Sequence, residues 1–189
     1  MSVVRIHPPG AHAPGLLAAL GAMLLTLPFS ATAADRGDSA PGFDPGAEPE
    51  GEVILRVEGA IEHANDGDRA LLDRAMLDRL PERELETSTV VTDGVNHFEG
   101  FLMRDLLEAL GAEGDEVVAT ALNDYIVDIP MEDFHDYDVV VAHTRDGEAL
   151  TPRDKGPLWI VYPRDDHAEL DDIRYDYRWV WQLEHLEVR

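Results

Sequence analysis

The sequence contains no cysteine in its 189 residues. That absence excludes disulfides, thiolate metal sites and cysteine nucleophiles, so stability has to come from a packed core. Lysine is almost missing too: Lys155 is the single lysine among 15 basic residues, set against 39 acidic ones. The net charge of −24 repels nucleic-acid phosphates and anionic lipid surfaces. Arginine with excess acid suits either a salty exterior, where screening relieves self-repulsion, or simple charge-maintained solubility. No nucleophile elbow, Walker loop, dinucleotide fingerprint or zinc-helix motif occurs, which leaves hydrolase and nucleotide-dependent chemistry without support. A hydrophobic run long enough to span a membrane is lacking as well. The apolar stretch from Gly15 to Phe29 falls short of roughly 20 residues and contains Pro28.

That stretch reads instead as the core of an export signal. Arg5 precedes it, and Ala31-Thr32-Ala33 fits a small-residue cleavage site, so residues 1–33 are expected to be removed and the protein to be periplasmic or secreted, with no membrane insertion afterwards. No Arg-Arg pair precedes the run, which points to export as an unfolded chain. Every acidic residue lies beyond the cleavage site while Arg5 is lost, so 14 basic against 39 acidic residues leave the mature chain at −25. Residues 34–51, rich in Pro, Gly, Asp and Glu, read as a disordered acidic linker. One domain is then expected over 52–189.

Within it, "EVILRVEG" alternates Val53, Leu55 and Val57 in a strand period. The spacing of Leu71, Leu72, Ala75, Met76 and Leu80 predicts a helix over Asp68 to Leu80, stopped by Pro81. "ETSTVVT" reads as a strand leading into a tight Asp93-Gly94 hairpin turn, and Phe101 to Leu110 as a helix closed by Gly111. Strands follow at "EVVATAL", "YIVDIP", "DVVVAHT", "LWIVYP" and "RWVWQLEHLEV", with a second Asp-Gly turn at Asp146-Gly147. In the last segment Trp179, Trp181 and Leu183 share a parity that Leu186 and Val188 break, so a bulge is expected near Glu184 to His185. The fold class is α+β, with a mixed, largely antiparallel sheet and two early helices.

In order, "FEGFLMRDLLEALG", "ALNDYIVDIPMEDFHDYDVVVAHTRDGEALTPRDKGPLWIVYP" and "YRWVWQLEHLEV" resemble the sulfite oxidase-type molybdopterin-binding oxidoreductase domain, particularly its small exported members. The resemblance covers roughly Val53 to Val188. It implies that fold, a molybdopterin cofactor and, in active members, a cysteine thiolate on molybdenum just before the aromatic-x-Gly, matched here by Phe98-Glu99-Gly100. The corresponding stretch runs from Ser88 to Thr92 and offers hydroxyls and valines only. Neutral hydroxyls replace thiolate poorly on a metal whose site is built on sulfur. Where members carry a basic residue after Gly-Pro-Leu to meet the pterin phosphate, this chain has Trp159, leaving Arg153, Lys155, Arg164 and Arg178 as cations amid many carboxylates.

The resemblance places Asn96 and His97 toward the cofactor region, with Asn123 and Tyr125 opening the neighbouring strand; with Lys155 and Arg178 these are the candidate pocket residues. Asn123-Asp124 also reads as a plain turn and Tyr125 as a core residue with a satisfied hydroxyl. "DFHDYD", with Asp133, His135, Asp136 and Asp138, reads as a solvated acidic turn, and "PRDDHAELDD", Pro163 to Asp172, as a flexible insertion rather than a calcium loop. Trp159, Trp179 and Trp181 are expected in the core. The expectation is therefore a domain without metal, and with no cofactor unless the family's molybdopterin is kept, that binds a small polar ligand or a periplasmic protein. The alternatives are a periplasmic oxidoreductase holding a pterin without cysteine, and an interaction accessory of a sensory or redox system. Enzymatic activity is left open.

Overall fold

The computed structural model describes residues 42–189; the expected export signal lies outside them. Two sheets share one core. In the first, β1 (Val53–Gly59) pairs in parallel with β10 (Leu183–Val188) and antiparallel with β2 (Ala70–Asp73). Beyond β10 come β5 (Glu116–Ala121) and β6 (Ile126–Pro130), both antiparallel, giving the order β2-β1-β10-β5-β6. The second sheet runs β3 (Glu82–Ser88), β4 (Val95–Leu102), β7 (Val140–Arg145), β8 (Glu148–Ala149), all antiparallel, with β9 (Trp159–Val161) also on β7. The helices are short: α1 (Arg74–Leu77), α2 (Met103–Ala109), α3 (Met131–Asp136) and α4 (Ile173–Asp176). The α+β class with a mixed, mostly antiparallel arrangement is thus the observed one.

The helix expected over 68–80 is mostly something else. Ala70 and Leu72 are buried in a strand period, pairing with Val57 and Leu55, and only then does one helical turn bury Met76 and Leu77. Two periods placed end to end imitate one helical stripe. Asp73 makes the switch: its buried carboxylate caps α1 by accepting from the Met76 amide at 2.9 Å. It also accepts from the amides of Glu50 and Gly51 at 2.8 and 2.6 Å. These bonds, with Phe43 only 4% exposed, bring residues 42–51 onto the domain. That part of the expected linker is therefore folded, because one aromatic and one acceptor suffice where composition suggests neither.

The second expected helix also starts late, since β4 continues through Gly100 to Leu102. Gly100 is required by the crossing of β7: a Cβ there would lie 2.1 Å from the Val141 carbonyl oxygen and 2.8 Å from Ala142 Cα. The glycine of the aromatic-x-Gly motif thus serves sheet packing, at the point where the β4–β7 register shifts. Gly111 does close α2, with φ +61 and the paired bonds Gly111 N–H to Glu108 O and Ala112 N–H to Leu107 O. The Asp93-Gly94 turn is looser than expected. Pairing of β3 with β4 ends at Ser88 and Val95, so residues 89–94 form the loop and Gly94 alone supplies positive φ. Asp146-Gly147 is a true two-residue hairpin with both φ positive, and the bulge foreseen in β10 lies between Leu183 and His185. Trp179 and Trp181 precede that strand, separated from it by Gln182 at φ +56.

Candidate functional site

The loop from Ser88 to Thr92 is where the family resemblance implies a thiolate. Each of its hydroxyls already has a partner within the chain. Ser88 donates its amide and its hydroxyl to the two carboxylate oxygens of Asp165, at 2.7 and 2.6 Å. The Asp165 amide returns a 3.3 Å bond to Thr87 Oγ1, so Asp165 staples this strand end to the 163–172 segment. Thr89 and Thr92 share a 2.6 Å hydroxyl contact, and Thr89 Oγ1 accepts from the Val91 amide at 3.1 Å. Val90 and Val91 stay exposed.

This donor set does not fit molybdenum: it offers neutral oxygens engaged with one another and a carboxylate where soft sulfur is wanted. No group of three or more His, Asp or Glu side chains able to hold a metal occurs among the described residues. Three of the four basic candidates for the pterin phosphate are engaged too. Arg164 is paired with Asp171, and Arg178 donates to Asp133 at 2.5 Å while lying 4.8 Å above the Tyr175 ring. Lys155 sits over Trp159 and Trp181, its Nζ 5.6 and 5.3 Å from their ring centroids. Arg153 is exposed.

The candidate pocket residues fall in separate places. Asn96 is buried and spans its own loop, its Nδ2 donating to Thr92 Oγ1 at 3.1 Å and to the Gly94 carbonyl at 3.1 Å. Asn123 accepts from the Tyr125 amide at 3.1 Å, as a turn residue does, and Tyr125 is exposed with its hydroxyl donating to the Tyr177 carbonyl at 2.6 Å. Burial of that hydroxyl raises its pKa, with the neighbouring Tyr177 adding to the effect. His97 lines a cleft of about 490 Å³ together with Arg83, Glu84, Asp138, Asp166 and His167. Its ring lies 3.5 Å from Glu84 and 3.6 Å from Glu99, while Arg83 is held by Asp138. This cleft is polar, open and of mixed charge. It lies beside β3 just before the Ser88 staple, and His97 alone of the candidates lines it.

Sequence reasoning missed a buried polar centre. Asp133, assigned to a solvated acidic turn, lies buried in α3 and accepts from Tyr162 Oη at 2.7 Å and from Arg178 Nη1 at 2.5 Å. Burial, with Asp133 beside it, raises the Tyr162 pKa well above its ordinary value, which keeps the hydroxyl a donor. Tyr137 and Tyr175 extend the cluster through a 3.3 Å hydroxyl contact. The 163–172 segment, expected as a flexible insertion, is fastened by buried Leu170, by Asp165 and by Asp172, which caps α4 through the Arg174 amide at 2.9 Å. No local pattern in the sequence could have signalled the centre, because the phenol and the arginine that bond this acid lie 29 and 45 positions away.

Residues 78–165 match the protein family described as oxidoreductase molybdopterin binding domain. Among solved structures, the sulfane dehydrogenase SoxCD from Paracoccus pantotrophus is similar, with a TM-score of 0.55 and 19% identity over 76% of this chain. The present chain spans 40% of the length of that one. No curated protein matches the sequence. The resemblance to the sulfite oxidase-type molybdopterin-binding oxidoreductase domain is therefore shown, by family pattern over residues 78–165 and by fold over most of the chain, in a protein without the cysteine.

Proposed function

We propose that this protein is an exported domain of the molybdopterin-binding oxidoreductase fold that carries no molybdenum and acts as a binding module. The observation that supports the reading is the Ser88–Asp165 staple. Where the resemblance implies a metal-bound thiolate, a strand-end serine is committed to a carboxylate through two bonds. Replacing sulfur by a serine alone would leave a weak oxygen ligand. Adding an anionic partner beside it makes the place unfavourable for a cofactor that brings its own phosphate and dithiolene charge. A fold can outlast the chemistry it once carried, and functional sites are grafted on folds rather than fixed by them.

The cleft lined by His97, Arg83 and Asp166 is where a small polar ligand fits this reading, since it offers donors and acceptors of both charges in an open concavity. Export fits the apolar run, the Ala31-Thr32-Ala33 site and the cysteine-free, self-reliant core. The test is production of the full chain in a host that makes the molybdenum pterin, followed by release and fluorescence of oxidised pterin from the purified protein. The expected result is no pterin above the level carried by an unrelated exported domain. One pterin per chain would overturn the proposal.

A further inference from the structure

Large apolar side chains are exposed at one end of the first sheet. Ile126 is 61% exposed at the start of β6, next to exposed Tyr125; Ile173 and Tyr177 are 63% and 60% exposed on and just after α4. The Tyr125 hydroxyl bond to the Tyr177 carbonyl brings the β5–β6 turn against the end of α4. Ile173 and Tyr177, four positions apart, lie on one helical face. These residues therefore form a shared apolar shoulder beside the edge of the sheet.

The edge itself is open. β6 is terminal in its sheet, and its inward bonds are Tyr125 O from Ala121 N–H and Met131 N–H to Asp115 O. Antiparallel bonding alternates, so residues 125, 127, 129 and 131 turn their backbone groups toward β5 and residues 126, 128 and 130 turn theirs away. The outward set is thus the N–H and C=O of Ile126 and Asp128 and the C=O of Pro130, and among the described residues none of these groups has a backbone partner across that edge. Pro130 has no N–H and limits the open ladder to its first half. Natural edges are commonly blunted by lysine, a covering loop or proline. Here proline guards one end, and there is no lysine to guard the other.

Charge then selects the occupant. Between Arg104 and Arg145 there is no lysine or arginine, while Asp and Glu occupy 11 positions, among them Asp124, Asp128 and Glu132 around the strand. Arg189, close enough to interact with Asp128, is held by Glu187 at 2.9 and 2.7 Å. A second copy would bring the same acidic strand and another −24 of net charge to the edge.

We propose that the outer edge of β6 accepts an extended, basic peptide segment of another protein by strand addition. The incoming strand bonds the Ile126 and Asp128 backbones and carries an apolar residue and a lysine or arginine two positions apart, on one face. Ile126 and Asp128 project on the same face, two residues apart, so an apolar side chain meets the first and a cationic one meets the second. Ile173 and Tyr177 extend the apolar contact past the turn. Backbone bonding supplies affinity, and the order of apolar and cationic side chains on that face supplies selection. This deepens the binding-module reading and rests on it, yet its test is blind to metal and pterin content, so either can fail alone.

The experiment uses the mature chain and two fluorescein-labelled nine-residue peptides, one with valine and lysine taking turns at every second position and threonine between them, and one with glutamate at each lysine position. Anisotropy should show the lysine peptide binding at least about tenfold more tightly, weakening as salt rises. Nuclear magnetic resonance hydrogen exchange should slow at the Ile126 and Asp128 amides and not at Val127, which already faces β5. Ile126→Pro removes an outward donor and should weaken binding about tenfold or more. Should that variant fold poorly, Asp128→Lys keeps the backbone intact and should reverse the preference toward the glutamate peptide. Equal binding of both peptides, protection confined to other amides, or a dimer in sedimentation that protects the same two amides would each overturn the proposal.

Discussion

Removing the buried carboxylate with Asp133→Ala should destabilise the domain by about 3 kcal/mol. Asp133 accepts from Tyr162 Oη at 2.7 Å and from Arg178 Nη1 at 2.5 Å. The Tyr162 hydroxyl is fully buried, so losing its acceptor leaves a desolvated donor, a cost of about 1–3 kcal/mol. Arg178 keeps 21% of its side chain exposed and can recover water, so it adds about 1 kcal/mol rather than the several expected of a sealed charge. Tyr162→Phe should be milder, about 1 kcal/mol, because Asp133 retains the arginine. The double variant is the sharper probe: with both oxygens gone no orphan remains, so its loss should fall short of the sum of the single losses by about 1–2 kcal/mol. Urea unfolding followed by circular dichroism at neutral pH measures all three, and a 3 kcal/mol loss corresponds to a melting temperature lower by roughly 6–12 °C. Strict additivity would mean that the phenol and the carboxylate do not act on each other, and would refute the reasoning.

Two other substitutions probe points where sequence and fold meet. Gly100→Ala places a methyl group against the Val141 carbonyl, where a Cβ would lie 2.1 Å away, and should cost about 2 kcal/mol or more in the same assay, with added disorder in β7 resonances. Asp73 has its pKa lowered, first by the Met76 and Gly51 amides it accepts from. A depressed folded value means that its contribution is present above the unfolded value of 3.8 and disappears as pH falls through the lower folded one. Asp73→Asn should therefore lower stability near neutrality by about 1 kcal/mol and flatten the acid limb below about pH 4; an unchanged acid limb would show that another carboxylate governs it.

Most strands were legible because their apolar alternation is local. β1, β5, β6 and β7 lie where Val53 to Val57, "EVVATAL", "YIVDIP" and "DVVVAHT" place them. Gly111 and Asp146-Gly147 were legible because positive φ is a one- or two-residue requirement. What misled was juxtaposition. Ala70 and Leu72 in a strand period, followed by Met76 and Leu77 in a helical one, read as a single helix. Phe43 looked stranded in a polar tail because its partners are distant in sequence. The site was less readable still. The absence of cysteine was plain, but the Ser88–Asp165 staple joins residues 77 apart and the Asp133 centre joins α3 to Tyr162 and Arg178, and no local pattern encodes either. Of the candidate residues, His97 lines a cleft, whereas Asn96 and Asn123 serve their own turns.

The central claim is that an oxygen-lined, carboxylate-stapled strand end has no grip on the family's metal. Elemental analysis of the full chain, matured in a molybdenum-replete host and freed of loosely held ions, tests it most directly. The account predicts molybdenum well below one-tenth of an atom per chain, a figure set by the poor match of neutral oxygen ligands to this metal. One atom per chain, lost on substitution at Ser88 or Thr92, would contradict it.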